Sequence, residues 1–168
     1  MVEYYWDGEN WLKVYKINKF IEYYLGDKLH RNDGPAEIDC FDNNKIRLKK
    51  YWFNGKLHRE GSPAFITYYW NGSVEFEFYY FNDILHRING PSIIFYNNDG
   101  FIESEFYYTN GKLHREDDPA KIWYDEFENI TNKEYWFKGI EFDPEILLFE
   151  MPIDTEEKEF MFKLIYGE

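Results

Sequence analysis

The sequence predicts a mainly all-β fold, an elongated antiparallel meander of tandem 28-residue hairpin repeats, and three observations lead there. Leu-His-Arg recurs at Leu29-His30-Arg31, Leu57-His58-Arg59, Leu85-His86-Arg87 and Leu113-His114-Arg115, each copy offset by 28 residues. Pro35, Pro63, Pro91 and Pro119 keep the same register, as do Ile38, Ile66, Ile94 and Ile122 and the pairs Tyr51-Trp52, Tyr79-Tyr80, Tyr107-Tyr108 and Tyr135-Trp136. Aromatic residues make up 23% of the 168-residue chain, a content that suits pleated, half-buried strands better than helices.

The elements follow in order, within a single repeat domain over residues 1–168. Residues 1–22 read as an N-terminal partial repeat, because Tyr4-Tyr5-Trp6-Asp7-Gly8 matches the pattern of Tyr68-Tyr69-Trp70-Asn71-Gly72. Residues 23–134 hold four repeats, each with two reversals. One lies at Asn54-Gly55, Asn82-Asp83 or Asn110-Gly111, the other at Asn71-Gly72 or Asp99-Gly100, pairs that tolerate the positive φ of two-residue hairpin turns. Between them the pattern predicts one strand from Val74 to Phe81 and a longer segment from Leu85 to Tyr96, interrupted at Gly90-Pro91 because proline cannot donate to a ladder. Successive strands of a meander reverse direction, so an odd number per repeat would flip alternate copies. Two strand directions per repeat is the consistent count.

Alternation along a strand then assigns the faces. Ala64, Ile66 and Tyr68 belong to a column that hardly varies and is expected to be core. The opposite column holds Glu37, Phe65, Ile93 and Lys121 at one level and Asp39, Thr67, Phe95 and Trp123 at the next. Phe65, Ile93, Phe95 and Trp123 leave apolar groups on that variable side, either partly covered or forming a partner surface. Residues 135–168 read as a terminal half-repeat followed by a short helical cap, with Asp154 and Glu157 as a capping box ahead of Phe160, Phe162, Leu164 and Ile165.

Gly55-Lys56-Leu57-His58-Arg59-Glu60 and Gly111-Lys112-Leu113-His114-Arg115-Glu116-Asp117-Asp118-Pro119-Ala120 resemble the "NGKLHREDGPA" repeats of giant-virus and phage proteins. Those repeats are similar in turn to MORN-type repeats, bacterial MORN-like antitoxins among them. The resemblance covers about Tyr23 to Phe142 and implies a β-hairpin ribbon.

Charge and cysteine usage narrow the function classes. Thirty-two acidic against nineteen basic side chains leave a net charge of −13, which opposes phosphate backbones and anionic lipid, so neither nucleic acid nor membrane is an expected partner. Cys40 is the single cysteine, the N-terminus lacks a signal-peptide pattern and no apolar run approaches a membrane span. An intracellular, reduced, cytoplasmic setting is expected, a host cytoplasm included.

The column of His30, Arg31, His58, Arg59, His86, Arg87, His114 and Arg115 has two readings. In the structural one Leu packs in the core, His bonds across the hairpin or to the Gly-Pro loop, and Arg pairs with an acidic neighbour. Extending the register places Phe142 and Asp143 at the His and Arg positions, which fits a ring filling a packing slot. In the binding reading the row meets phosphate groups through guanidinium forks. Histidines two strands apart, about 9 to 10 Å, do not share a zinc ion, so no metal and no cofactor is expected. A catalytic site is not expected either, since every candidate residue is repeated fourfold. The leading expectation is a non-enzymatic protein-interaction module of antitoxin, immunity, viral or phage type, binding a basic protein. A binder of a small phosphorylated ligand or nucleotide is the alternative, and an acidic nucleic-acid mimic a weaker one. The oligomeric state is left open, edge pairing of the sheet included.

Overall fold

The structure, a computed structural model, describes residues 2–116 and 118–144. The expected C-terminal helix, with Asp154 and Glu157 at its start, lies outside the described residues. Among those residues nineteen strands form an antiparallel meander of hairpins, thirteen of them in one long sheet. The ladder opens with Val2–Trp6, Trp11–Ile17 and Phe20–Leu25. Long strands then alternate: Glu37–Cys40, Ile46–Lys50, Phe65–Tyr68, Val74–Phe78, Ile93–Tyr96, Ile102–Phe106, Lys121–Tyr124 and Ile130–Phe137, with Ile140–Phe142 last. This is the two-direction count that strand parity requires. No second large sheet lies among the described residues to cover either face, and no helix there is long and apolar enough to cross a membrane.

The strand expected from Val74 to Phe81 is broken. It runs as Val74–Phe78, bends at Tyr79 and resumes as Tyr80–Phe81, which pairs with Ile84–Leu85 in a short hairpin. Backbone bonding gives the reason. The Tyr79 N–H donates to the Ser92 carbonyl at 2.8 Å, while the Tyr79 carbonyl accepts from His86 N–H at 3.1 Å. The chain thus passes at this residue from a neighbouring long strand to its own short hairpin. Tyr51 and Tyr107 repeat the arrangement, donating to Ala64 and Ala120 and accepting from His58 and His114.

The two reversals differ in kind. Asn54 and Gly55, Asn82 and Asp83, and Asn110 and Gly111 all have positive φ, as a type I′ two-residue turn demands. The second reversal is longer than expected. Tyr69 N–H bonds the Ser73 carbonyl at 2.9 Å, enclosing Trp70, Asn71 and Gly72, and only Gly72 (φ 98°) has positive φ. Gly8 in the N-terminal partial repeat has the same φ of 98°, in line with the shared Tyr-Tyr-Trp pattern.

Register bears out the alternation of the two faces, but burial does not single one out: Glu37, Thr67, Ile93 and Ser104 on the variable side are buried as well. Ile66 lies across from Lys49 and Glu77, Ile94 from Glu77 and Glu105, and Ile122 from Glu105 and Lys133. These three isoleucines are buried, and Ala36, Ala64 and Ala120 at the bends are completely so. Carboxylates on this face are satisfied by tyrosines: Tyr96 donates to Glu77 at 3.2 Å and Tyr124 to Glu105 at 2.8 Å. Burial, and then the neighbouring carboxylate, push both phenols well above the ordinary tyrosine range.

Candidate functional site

The Leu-His-Arg column starts at the last residue of each short strand, Leu29, Leu57, Leu85 and Leu113, and joins each repeat to the next. Leu29, Leu57, Leu85 and Leu113 carbonyls accept the turn N–H of Gly55, Asp83, Gly111 and Gly139 at 2.8 to 2.9 Å. His30, His58 and His86 Nδ1 accept the N–H of Asn54, Asn82 and Asn110 at 3.0, 3.3 and 3.2 Å, and His114 Nδ1 accepts from Lys138 at 3.4 Å. An accepting Nδ1 presents its lone pair, which places the ring proton on Nε2. The rings also interleave: His30 and His58 flank Phe53 at 5.0 and 6.0 Å, and His58 meets Phe81 at 4.8 Å. The expected bonds across the hairpin or to the Gly-Pro loop are therefore replaced by bonds to the next repeat's turn.

Arginines hold their own repeat. Arg59, Arg87 and Arg115 lie with Cζ 3.8, 3.9 and 3.9 Å from the ring centres of Tyr51, Tyr79 and Tyr107. Their Nη1 atoms donate to the carbonyls of Pro63, Pro91 and Pro119 at 3.3, 3.1 and 3.3 Å. Arg31 does the same with Tyr23, Tyr5 and Pro35. Acidic partners, expected for the whole column, pair with Arg31 (Asp33, 2.7 Å) and Arg115 (Asp118, 2.7 Å). Gly90 shows how closely the clamp fits, since a Cβ there would meet the Arg87 guanidinium at 3.1 Å.

Consecutive arginines border shared clefts between loops, Arg87 with Arg115 in one of about 500 Å³ and Arg31 with Arg59 in one of about 540 Å³. Glu116 and Asp118 line the first, Asp33 and Glu60 the second, so each cleft carries both signs. Among the described residues no group of three or more His, Cys, Asp or Glu side chains is placed to hold a metal ion.

At the N-terminal end Asp7, buried among polar groups, plugs the first repeat. Its carboxylate accepts N–H groups of Glu9, Asn10 and Asn32 at 3.0, 2.7 and 3.1 Å and faces His30 Nε2 at 3.8 Å. Burial favours the neutral acid, but the three backbone donors outweigh it and hold the carboxyl below its usual range.

The variable face is the second candidate. Directly paired residues run Glu37, Lys50, Phe65, Phe78, Ile93, Phe106, Lys121, Glu134 across successive strands. An apolar centre is thus closed at both ends by an ion pair, Lys50–Glu37 at 2.7 Å and Lys121–Glu134 at 2.8 Å. Trp52 and Trp136 indole N–H groups bond the same carboxylates at 3.1 and 2.9 Å. The next row holds Thr67, Phe76, Phe95, Ser104 and Trp123. Rings touch across and between the rows: Phe65–Phe78 at 5.6 Å, Phe76–Phe95 at 5.9 Å, Phe95–Phe106 at 5.8 Å and Phe106–Trp123 at 5.4 Å. Phe65, Phe95 and Trp123 are half-buried in this ladder, and Ile93 is buried beneath it. Phe76, Phe78 and Phe106 complete the surface. Phe76 and Phe78 are legible in the alternation of Val74-Glu75-Phe76-Glu77-Phe78, and Phe106 in that of Ser104-Glu105-Phe106, although the repeat columns alone do not single them out.

No family model, no curated protein and no solved structure matches this chain.

Proposed function

We propose that this chain is a non-enzymatic protein-binding module whose aromatic face receives a basic protein. One observation carries the reading: a continuous ladder of half-buried rings, Phe65 to Trp123, on a sheet face that no second large sheet among the described residues covers. Aromatic side chains with a charged rim are the usual material of an interface centre. The net charge of −13 steers positively charged partners toward the surface and repels polyanions. An antitoxin, an immunity protein or a viral or phage factor acting in a cytoplasm fits this profile.

A phosphorylated ligand in the arginine clefts is the second reading, supported by the shared placement of Arg87 and Arg115. It is the weaker of the two, because the guanidiniums already rest on tyrosine rings and proline carbonyls and the clefts carry carboxylates. Affinity capture from cells that express the protein naturally, with wild-type chain and a Phe76→Ser/Phe95→Ser variant, separates them. The proposal expects a basic protein that binds the wild type in a salt-sensitive way and is lost with the variant. Retention by the variant, or a thermal shift produced only by phosphorylated small molecules, contradicts it.

A further inference from the structure

Among the described residues the strand Val2–Trp6 ends the long sheet and pairs with one neighbour only, on its Trp11–Ile17 side. Asp7 N–H donates to the Asn10 carbonyl at 3.1 Å, and bonded pairs alternate along an antiparallel ladder. Glu3 and Tyr5 therefore spend their backbone groups on Trp11–Ile17, while the N–H and C=O groups of Val2, Tyr4 and Trp6 point away from the sheet. The same three residues carry exposed apolar side chains on one face, at 50%, 65% and 48% exposure. Trp11, Tyr15 and Ile17 on the adjoining strand extend that face at 66%, 37% and 65%. Natural edges are blunted by lysine, proline or a bulge, and this strand has an unbroken register and neither residue.

We infer that this edge pairs with the same edge of a second copy of the chain, antiparallel and two-fold symmetric about Tyr4. In that register Tyr4 pairs with Tyr4 of the second copy, Val2 with Trp6, and Glu3 with Tyr5. Each residue whose backbone is open in one copy then finds one in the other, and apolar groups meet on the aromatic side. Glu3 meets a tyrosine, and Lys16 already neutralises it at 2.6 Å, so no carboxylate opposes a carboxylate along the strand. The remaining negative charge of the two copies acts at longer range and is screened by salt. The dimer accordingly tightens as salt is added, the opposite of the response expected for a basic partner at the ring ladder, and the two claims stand or fall separately.

Sedimentation velocity on the full chain, up to high micromolar concentration and at low and high salt, tests this. A monomer–dimer equilibrium strengthened by salt is expected. Tyr4→Phe keeps it, and Tyr4→Lys, which sets two ammonium groups across the two-fold, weakens it by roughly tenfold or more with circular dichroism unchanged. A monomer at every concentration, a dimer that Tyr4→Lys leaves intact, or growth beyond two copies overturns the inference.

Discussion

His58 Nδ1 accepts the backbone N–H of Asn82, 24 residues ahead in the next repeat, at 3.3 Å. The same reach from His30 to Asn54, His86 to Asn110 and His114 to Lys138 makes histidine a fastener between units. The repeats of such an array have few long-range contacts to spare, so each fastener matters to the neighbouring interface.

Removing one ring should therefore separate two contributions. His58→Ala loses the acceptor and the contacts with Phe53 and Phe81, for a predicted cost of about 1–3 kcal/mol. His58→Phe keeps the ring and loses only the acceptor, for about 1 kcal/mol. Urea denaturation of both variants checks the order. Equal losses would mean that the ring contacts contribute nothing.

The clamp on the Gly-Pro loop gives a second comparison. Arg87→Lys replaces a planar group 3.9 Å above Tyr79 with a point charge and should destabilise by about 1 kcal/mol. Gly90→Ala should act on the same clamp, because its φ of 139° suits glycine and its Cβ would press on the guanidinium. Thermal melts of the single and double variants test the coupling: losses in the double variant smaller than the sum are expected if both act on one contact.

Much of this molecule was legible before the structure, and the rest was hidden for identifiable reasons. The 28-residue spacing of Ile38, Ile66, Ile94 and Ile122 with strand parity led to the meander and to the alternation of its faces, not to how deeply each is buried. The break at Tyr79 was not legible, since Tyr79-Tyr80-Phe81 reads as uninterrupted strand and only the exchange of backbone partners bends it. Histidine's partner was missed because Asn82 belongs to the next unit, and a repeat column says that a residue recurs without saying what it meets. Phe65, Ile93, Phe95 and Trp123 were visible as one side of alternating strands. Their union with Phe76, Phe78 and Phe106 depends on register, and the two-residue turns expected at Asn71-Gly72 and Asp99-Gly100 are three-residue loops in the structure.

Acid should loosen the N-terminal end. The Asp7 carboxyl titrates lower in the folded chain than in the unfolded one, so its contribution is present above the ordinary aspartate value, about 3.9, and disappears as pH falls through the folded value. Asp33, held down against its burial by Arg31 and Tyr5, acts in the same direction. Melting temperatures followed downward from neutral pH should fall, and Asp7→Asn should flatten that limb while lowering stability at pH 7. An unchanged acid limb in the variant would remove Asp7 from the account.

Alkali should act through tyrosines, Tyr96 and Tyr124 foremost. Tyr96 and Tyr124 are raised in the folded state, so stability is complete below the unfolded tyrosine value of about 10 and is lost as pH climbs from there toward the folded values. Tyr96→Phe with Tyr124→Phe should reduce the alkaline loss measured by circular dichroism. A loss as steep as in wild type would place its origin elsewhere.

The ring ladder from Phe65 to Trp123 is the heart of the functional account, and the dissociation constant of the captured basic protein tests it most directly. Titration calorimetry should give Phe76→Ser/Phe95→Ser a loss of about 2 kcal/mol or more, roughly thirtyfold in affinity, against wild type. Tyr4→Ser, on the same sheet face but at its far N-terminal end beyond the Lys50–Glu37 pair, should bind as wild type does. Equal affinity for wild type and the double phenylalanine variant, with both variants folded, would contradict the account.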